Sequence, residues 1–373
     1  MVYIDNIYKG LLVFPFIAAL FTMPYAVYQY NRYGSVSKYR TLIIYSFILY
    51  MLIAFFMVIL PLPDMASTAG NTWQEHLNLI PFRQIWLYWH GKMFGLAALK
   101  EYLVSMSLWQ LLFNILLTVP FGVYMRYYFK LSLKRTILYS FLLSLFYETS
   151  QITALFGIYP GPYRLADVED LICNTMGGAG GYYIASVFAG VLPSRDEIDE
   201  KCKVSGTRVT GMRRAWAVLF DYVCIAVVYI FLLGVIRVLN PEFTDYSIYG
   251  EVYGWSFFCI ISLIQVLLTK GSTLGHAACR VILVSDDGGA ASAVQLIERY
   301  LSLWLFTDLP LIIAGQLMNY RTAFIVDLII LGLTAVSRIY FILYFINVVL
   351  RKGKLMPHDK LSRTLYMVTD VPE

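Results

Sequence analysis

Charge is what this sequence has least of. Only 14% of its 373 residues are Asp, Glu, Lys or Arg, against 59% apolar residues, and the mean hydropathy is +0.65. Soluble domains carry about 25% charged residues, so a polar domain of useful size is excluded. Cysteine is also scarce: five residues without paired spacing, which argues against a disulfide framework or a cysteine metal site. No phosphate-binding Gly-x-x-x-x-Gly-Lys loop, Gly-x-Ser-x-Gly turn or His-Glu-x-x-His helix occurs, and "GGAGGYY" lacks the third glycine of a dinucleotide fingerprint. The four histidines, His76, His90, His276 and His358, are scattered, so a zinc site would need carboxylate help. No cofactor or metal is implied, and without a recognised catalytic motif the balance lies against an enzyme.

Long apolar runs are abundant instead. About 20 apolar residues span roughly 30 Å of hydrocarbon. Nine such runs occur, at about 10–30, 41–62, 104–126, 136–158, 171–192, 214–239, 253–269, 300–318 and 323–350. The last is overlong, which fits a tilt or a cytosolic extension. The expectation is an all-α polytopic integral membrane protein of about nine transmembrane helices. The start, "MVYIDNIYKGLLVFPF", lacks a basic n-region and a small-residue cleavage site, so the first helix is expected to stay as an anchor.

Orientation follows from the basic residues. Arg32, Lys38 and Arg40 form one cluster; Arg126, Lys130, Lys134 and Arg135 a second; Arg195 to Arg214 a third; Arg351 to Arg363 a basic tail. All four fall on one side if the N-terminus is outside and the C-terminus cytosolic. Inward-side Lys and Arg then account for the net charge of +5 without a nucleic-acid partner. The charged stretch after the fifth run divides the chain into residues 1–192, a cytosolic linker at 193–210, and residues 211–373.

Two loops are long enough to hold structure. The external 63–103 segment, with "WQEHLNLIPFRQIWLYWHGK", suits a helix or re-entrant piece at the interface. In the inner loop before residue 300, "CRVILVSDDGG" reads as a strand ending in an Asp-Gly turn and "SAVQLIERYL" as the start of the next helix. Plain connectivity explains both loops equally well.

The sharpest local signal is "YRLADVEDLICNTMGGAGGY", Tyr163 to Tyr182, where an arginine and three acids precede a glycine-rich apolar run. Asp167, Asp170 and Asn174 share one helix stripe that continues into the glycines, and Arg164 stands one turn earlier. Asp167 can cap the helix, and glycines let a second helix approach closely. That accounts for the glycines and one aspartate, leaving Asp170 and Asn174 unexplained. The preceding run carries Ser140, Ser144, Glu148 and Gln151 on one face, and an earlier one Gln110, Asn114 and Thr118. An ionisable group in hydrocarbon is costly and reads first as a functional site. The cluster is expected to open to the outside. Three readings stay open: a ligand or transport site, a buried ion-pair network, and acid/base chemistry. In the first, Asp167, Asp170 and Glu148 attract cationic groups; Asn114, Gln151 and Asn174 orient them; Arg164 balances charge or contacts phosphate.

As an ordered set these residues resemble the VanZ-like family of bacterial membrane proteins. Its pattern matches Asn78, Pro81 and Phe82, then Asn114, Pro120 and Gly122, then Glu148 and Gln151, then Arg164, Asp167, Asp170, Asn174 and Gly178. The resemblance covers about 40–192. It implies a plasma-membrane protein of the cell envelope and low-level resistance to teicoplanin-type lipoglycopeptides. The implied partner is a membrane lipid, a lipid-linked cell-wall precursor or the antibiotic.

The second half resembles the RDD family over about 211–369. The matching residues are Arg214 and Asp221, the Gly271 to Gly275 region, "RVILVSDDG", Arg299, and "HDKLSRT" with His358, Asp359 and Thr364. His276 stands where the family commonly has lysine. Sodium/proton antiport is one implied activity; helix packing is the other reading. Asp221, Asp308 and Arg338, on three different helices, are expected to form one charged cluster.

Overall fold

The computed structural model describes residues 2–90, 95–188, 193–240, 249–317, 324–350 and 355–369. The chain forms two compact units, residues 1–20 with 38–198 and residues 21–37 with 199–373. The division falls inside the first helix, α1 (Val2–Tyr33). Its last part and the turn after it pack in the second unit, although residues 1–192 read as one piece in the sequence.

After α1 the first unit holds α2 (Lys38–Ile59), a two-residue strand β1 (Leu77–Asn78), and the short helices α3 (Arg83–Trp89) and α4 (Leu96–Leu103). These short pieces occupy the 63–103 segment, expected to hold an interfacial helix or re-entrant piece. The longer α5 (Met106–Tyr127) and α6 (Leu133–Ile152) follow, then α7 (Ala154–Gly157), a left-handed turn with positive φ at Ala154, Leu155 and Phe156. Strand β2 (Ala166–Asp167) leads directly into α8 (Val168–Phe188). Strands β1 and β2 pair in parallel, with Asn78 opposite Asp167.

The framework of this unit is α8 packed between α5 and α6. A Cβ on Gly177 or Gly181 would strike the backbone carbonyls of Ile115 or Val119, and one on Gly178 would strike the Ser140 hydroxyl. The glycine stripe is therefore what lets three backbones approach, as small residues do between membrane helices. The close approach also lets Thr118 Oγ1 donate to the Asn174 carbonyl across the α5–α8 contact at 2.7 Å.

The expected linker holds α9 (Arg195–Gly206), with Ile198 and Cys202 buried one turn apart. The second unit continues with α10 (Gly211–Leu239), α11 (Tyr249–Leu268), α12 (Leu274–Ala278), β3 (Val281–Ser285), α13 (Ala293–Thr307), α14 (Leu309–Leu317), α15 (Phe324–Leu350), α16 (Pro357–Leu361) and β4 (Thr364–Val368). Its helix starts are written locally. Thr210 caps α10 and Thr273 caps α12, while Ser292 with Gln295 forms a capping box on α13. The expected strand is β3, and its turn passes through Gly288 at φ +87°. Its antiparallel partner is β4 in the C-terminal tail, with Val281 opposite Val368 and Ser285 opposite Thr364. Leu283 packs with Val266, Leu296 and Tyr300 in one core cluster, and Val281 with Tyr30, Ala217 and Cys279 in another.

The chain is an all-α membrane protein apart from these small sheets. Among the described residues, six helices are long and apolar enough to cross a membrane: Ile4–Tyr33, Lys38–Ile59, Met106–Tyr127, Gly211–Leu239, Ala293–Leu317 and Phe324–Tyr344. The other three expected runs also form helices. α6 and α8 have 20 and 21 residues, but serines, acids and glycines lower their hydropathy, and Gly254–Thr269 is shorter. The ends of the fifth and eighth runs, at 189–192 and 318, lie outside the described residues.

Candidate functional site

Every member of the polar cluster in the first unit has a traceable position. Asn78 Oδ1 accepts from the Ile80 amide at 3.3 Å, and its Nδ2 donates to Asp167 Oδ2 at 2.9 Å. The other Asp167 oxygen accepts from the Glu169 amide at 2.9 Å, which caps the start of α8. The Asp167 amide in turn donates to Glu148 Oε2 at 2.9 Å. Both Asp167 oxygens are thus engaged inside the protein.

Arg164 does not pair with an acid. Its two terminal nitrogens donate to the carbonyls of Val58 at 2.6 Å and Leu60 at 2.8 Å, and Gln151 Nε2 donates to the same Val58 oxygen at 3.3 Å. These carbonyls lie at the C-terminal end of α2, where a helix leaves its last oxygens without partners. What the structure shows for Arg164 is a structural role, capping α2.

Asn114 on α5 donates through Nδ2 to Asp170 Oδ1 on α8. Asn174 donates to Ser144 Oγ on α6 at 2.9 Å, and that hydroxyl donates to the Asp170 carbonyl at 3.3 Å. Asn174 Oδ1 is buried without a partner, and so is the hydroxyl of Tyr147. Six of the eight expected residues, Asn114, Glu148, Gln151, Arg164, Asp170 and Asn174, line one cavity of about 520 Å³. Asn78 and Asp167 are not in the lining. Met57, Met106, Trp109, Phe113 and Leu117 give it an apolar side, and Tyr147, which sequence reasoning passed over, also lines it. In a chain with 30 tyrosines nothing local marks that one. Among the described residues no group of three or more His, Cys, Asp or Glu is arranged to hold a metal ion.

The second unit gathers a different set. Arg299, 3% exposed, donates through Nη1 to Asp359 Oδ1 and to Thr364 Oγ1 at 2.9 Å, and through Nη2 to the Tyr366 hydroxyl at 3.0 Å. Arg214 approaches the other Asp359 oxygen at 3.6 Å. The Tyr366 ring lies 4.7 Å from the Arg214 guanidinium and 5.0 Å from that of Arg299. His358 Nδ1 meets the Tyr340 hydroxyl at 2.5 Å, and its Nε2 lies 3.4 Å from Asp359 Oδ1. Burial pushes the His358 imidazole down to about 3, and Arg299 adds to that. The Asp359 carboxyl is held below its usual range despite its burial, because Arg299 and His358 stand beside it. A smaller cavity of about 200 Å³ is lined by Asp221, His276, Arg299, Tyr340 and His358 among others.

Two expectations for this unit change. The buried stripe of α10 is Arg213, Ala217, Asp221 and Ile225, so the fully buried arginine is Arg213 and not Arg214. Arg213 donates to the carbonyls of Cys279, Gly206 and Arg280 and stacks on Tyr30. Asp221 accepts from Thr273 Oγ1 at 2.5 Å and from the Gly275 amide at 2.6 Å, and a Cβ on Gly275 would collide with it. The Asp221, Asp308 and Arg338 cluster does not form. Arg338 is exposed on α15, and Asp308 is fully buried at the α13–α14 junction, bonded to Thr307. His276 keeps its expected neutral state: its Nδ1 accepts from the Thr273 amide at 3.2 Å within a capping box. Burial and nearby Arg299 hold its pKa at about 3, so it acts as a neutral cap and supplies no positive charge near pH 7.

Among the described residues the arrangement is that of a helical membrane protein with a polar-lined cavity in the first unit and a buried ion-pair network beside a smaller cavity in the second. The VanZ/LLP1 family model matches residues 47–189 and the RDD family model matches residues 208–363. The chain thus carries a VanZ-like domain followed by an RDD domain. No curated protein and no solved structure matches it.

Proposed function

We propose that this is a bacterial cell-envelope protein of the plasma membrane whose VanZ-like cavity binds or handles a surface lipid, a lipid-linked cell-wall precursor or a lipoglycopeptide, with low-level teicoplanin resistance as the phenotype. The observation that carries the reading is the lining of the 520 Å³ cavity, which joins Glu148, Asp170 and Asn174 with Trp109, Phe113 and Met106. Such an amphipathic lining suits a ligand with a polar head and an apolar tail better than a sealed structural network, which would leave no cavity. In this proposal nine helices cross the membrane, with the N-terminus outside and the cavity facing out.

The test is a deletion strain carrying wild type, the Asp167→Asn, Asp170→Asn variant, or empty vector at matched expression. Wild type is expected to lower teicoplanin susceptibility and cell-bound fluorescent teicoplanin, and the variant to do neither. If wild type behaves like the vector, the resistance phenotype is lost as a reading.

A second reading is supported by the other unit. A buried Arg299–Asp359 pair beside a 200 Å³ cavity is the kind of charged group that ion pathways use. Sodium/proton antiport predicts ion-dependent flux in proteoliposomes that Asp359→Asn abolishes; no flux in wild type counts against it.

A further inference from the structure

We propose that the VanZ-like cavity recognises a primary ammonium group. The inference rests on the reading that this cavity is a ligand site, and it names the chemistry of the ligand.

Four polar side chains of the lining are tied down by hydrogen bonds within the protein. Arg164 is held by the carbonyls of Val58 and Leu60, Gln151 by Val58, Asn114 by Asp170 and Asn174 by Ser144. Three acceptor oxygens of the lining are not, and neither is the Tyr147 hydroxyl, which can donate or accept. Glu148 uses one carboxyl oxygen on the Asp167 amide, and Asp170 one on Asn114, leaving an oxygen of each without a protein hydrogen bond. Asn174 is 4% exposed, lines the cavity, and has an Oδ1 with no partner. A buried carbonyl oxygen without a donor is uncommon and costly. This orphan is independent of the acids, and it points the same way: the missing partner is a donor.

An ammonium carries three N–H groups and no acceptor. It answers the two carboxyl oxygens and the amide oxygen together, and its charge opposes that of the carboxylates. A phosphate offers only acceptors, and would face the same three oxygens with like polarity.

The apolar side speaks to the source of the amine. Met106, Trp109 and Phe113 line the cavity while themselves 82%, 47% and 51% exposed, on a helix apolar enough to span the membrane. Their rings and thioether lead from the cavity to the outer face of α5, where an alkyl chain would lie. This favours an amine borne on a lipid over a soluble one.

The full-length protein in phosphatidylcholine nanodiscs, with empty nanodiscs as the partition control, is titrated with n-dodecylamine, dodecanol, dodecyl phosphate and ethanolamine, read by microscale thermophoresis. Wild type is expected to bind dodecylamine at least tenfold tighter than dodecanol or dodecyl phosphate. Glu148→Gln with Asp170→Asn, both nearly isosteric, is expected to erase that preference. Trp109→Ala, a change at an exposed position that threatens the fold less, is expected to weaken dodecylamine and leave ethanolamine unchanged. Ethanolamine binding as tightly as dodecylamine keeps the ammonium but makes its source a soluble amine. Dodecyl phosphate or dodecanol binding equally well, with Trp109→Ala weakening both, overturns the ammonium and leaves the cavity a ligand site. Binding by no probe, or binding indifferent to all three substitutions, removes the ligand-site reading as well.

Discussion

Arg213 and Arg214 are neighbours in sequence and differ in every other respect. Arg213 satisfies backbone carbonyls deep in its unit, while Arg214 reaches Asp359 across a tyrosine ring. Asp359 holds the second network together, since it accepts from Arg299 and from the Met356 amide. Removing one partner of a buried pair leaves an uncompensated charge, worth about 3–5 kcal/mol. Asp359→Asn is therefore expected to lower the unfolding midpoint sharply, and an unchanged midpoint would show that the pair contributes little. His276 and His358 make the same unit acid-sensitive. Both have folded pKa values of about 3 against the usual 6.5. As pH falls below 6.5 the unfolded chain takes up protons that the folded one refuses, so stability is lost across the window from 6.5 toward 3. At pH 5.5 the loss is about 1.4 kcal/mol per histidine. The depressed Asp359 carboxyl adds its own loss only at lower pH, below its ordinary 3.8. Gln at position 276 keeps a capping-box acceptor without titrating. His276→Gln is thus expected to match wild type near pH 7.5 and to melt higher at pH 5.5; equal melting at both values counts against a titrating His276.

At the scale of elements, the decisive contact is α8 against α5 and α6. Its glycines were legible in the sequence as a close-packing stripe, and the polar positions on α5, α6 and α8 as three stripes. Their convergence follows from those patterns, because a stripe that lipid cannot solvate has to face another helix. A side chain at Gly178 has nowhere to go, since its first carbon already meets Ser140. At Gly180, two residues along, a Cβ meets nothing within 4 Å. Gly178→Leu is expected to cost at least the roughly 1–3 kcal/mol of an overpacked core, and Gly180→Ala to be nearly neutral. The pair is compared by thermal unfolding in one detergent; equal losses would mean that α8 is not wedged there. Sequence reading did less well with the small sheets. Strand β3 was visible from its apolar run and Asp-Gly turn. Its partner was not, because β4 lies about 80 residues later and no local signal names a partner at that distance.

For the whole molecule the open quantity is topology. Six helices meet the length and hydropathy of a span, and α6, α8 and α11 complete the proposed nine. With the N-terminus outside, Glu75 lies in an external loop and Lys201 on the cytosolic side; both side chains are exposed. Glu75→Cys is expected to react with an impermeant maleimide on intact cells, and Lys201→Cys only after permeabilisation. Reaction of both from outside would overturn the nine-helix count or its direction.

Membrane character, the order of both family motifs and the helix caps were all present in the linear chain, because hydropathy, spacing and capping are properties of neighbouring residues. Which charge goes where was not. The burial of Arg213 in place of Arg214 and the turning of Arg164 toward the end of α2 depend on partners tens to more than a hundred residues away. Packing chooses such partners by matching every buried donor to an acceptor. That matching is incomplete at the Asn174 Oδ1 and the Tyr147 hydroxyl, both in the lining of the first unit's cavity, which is where the proposed ligand would be met.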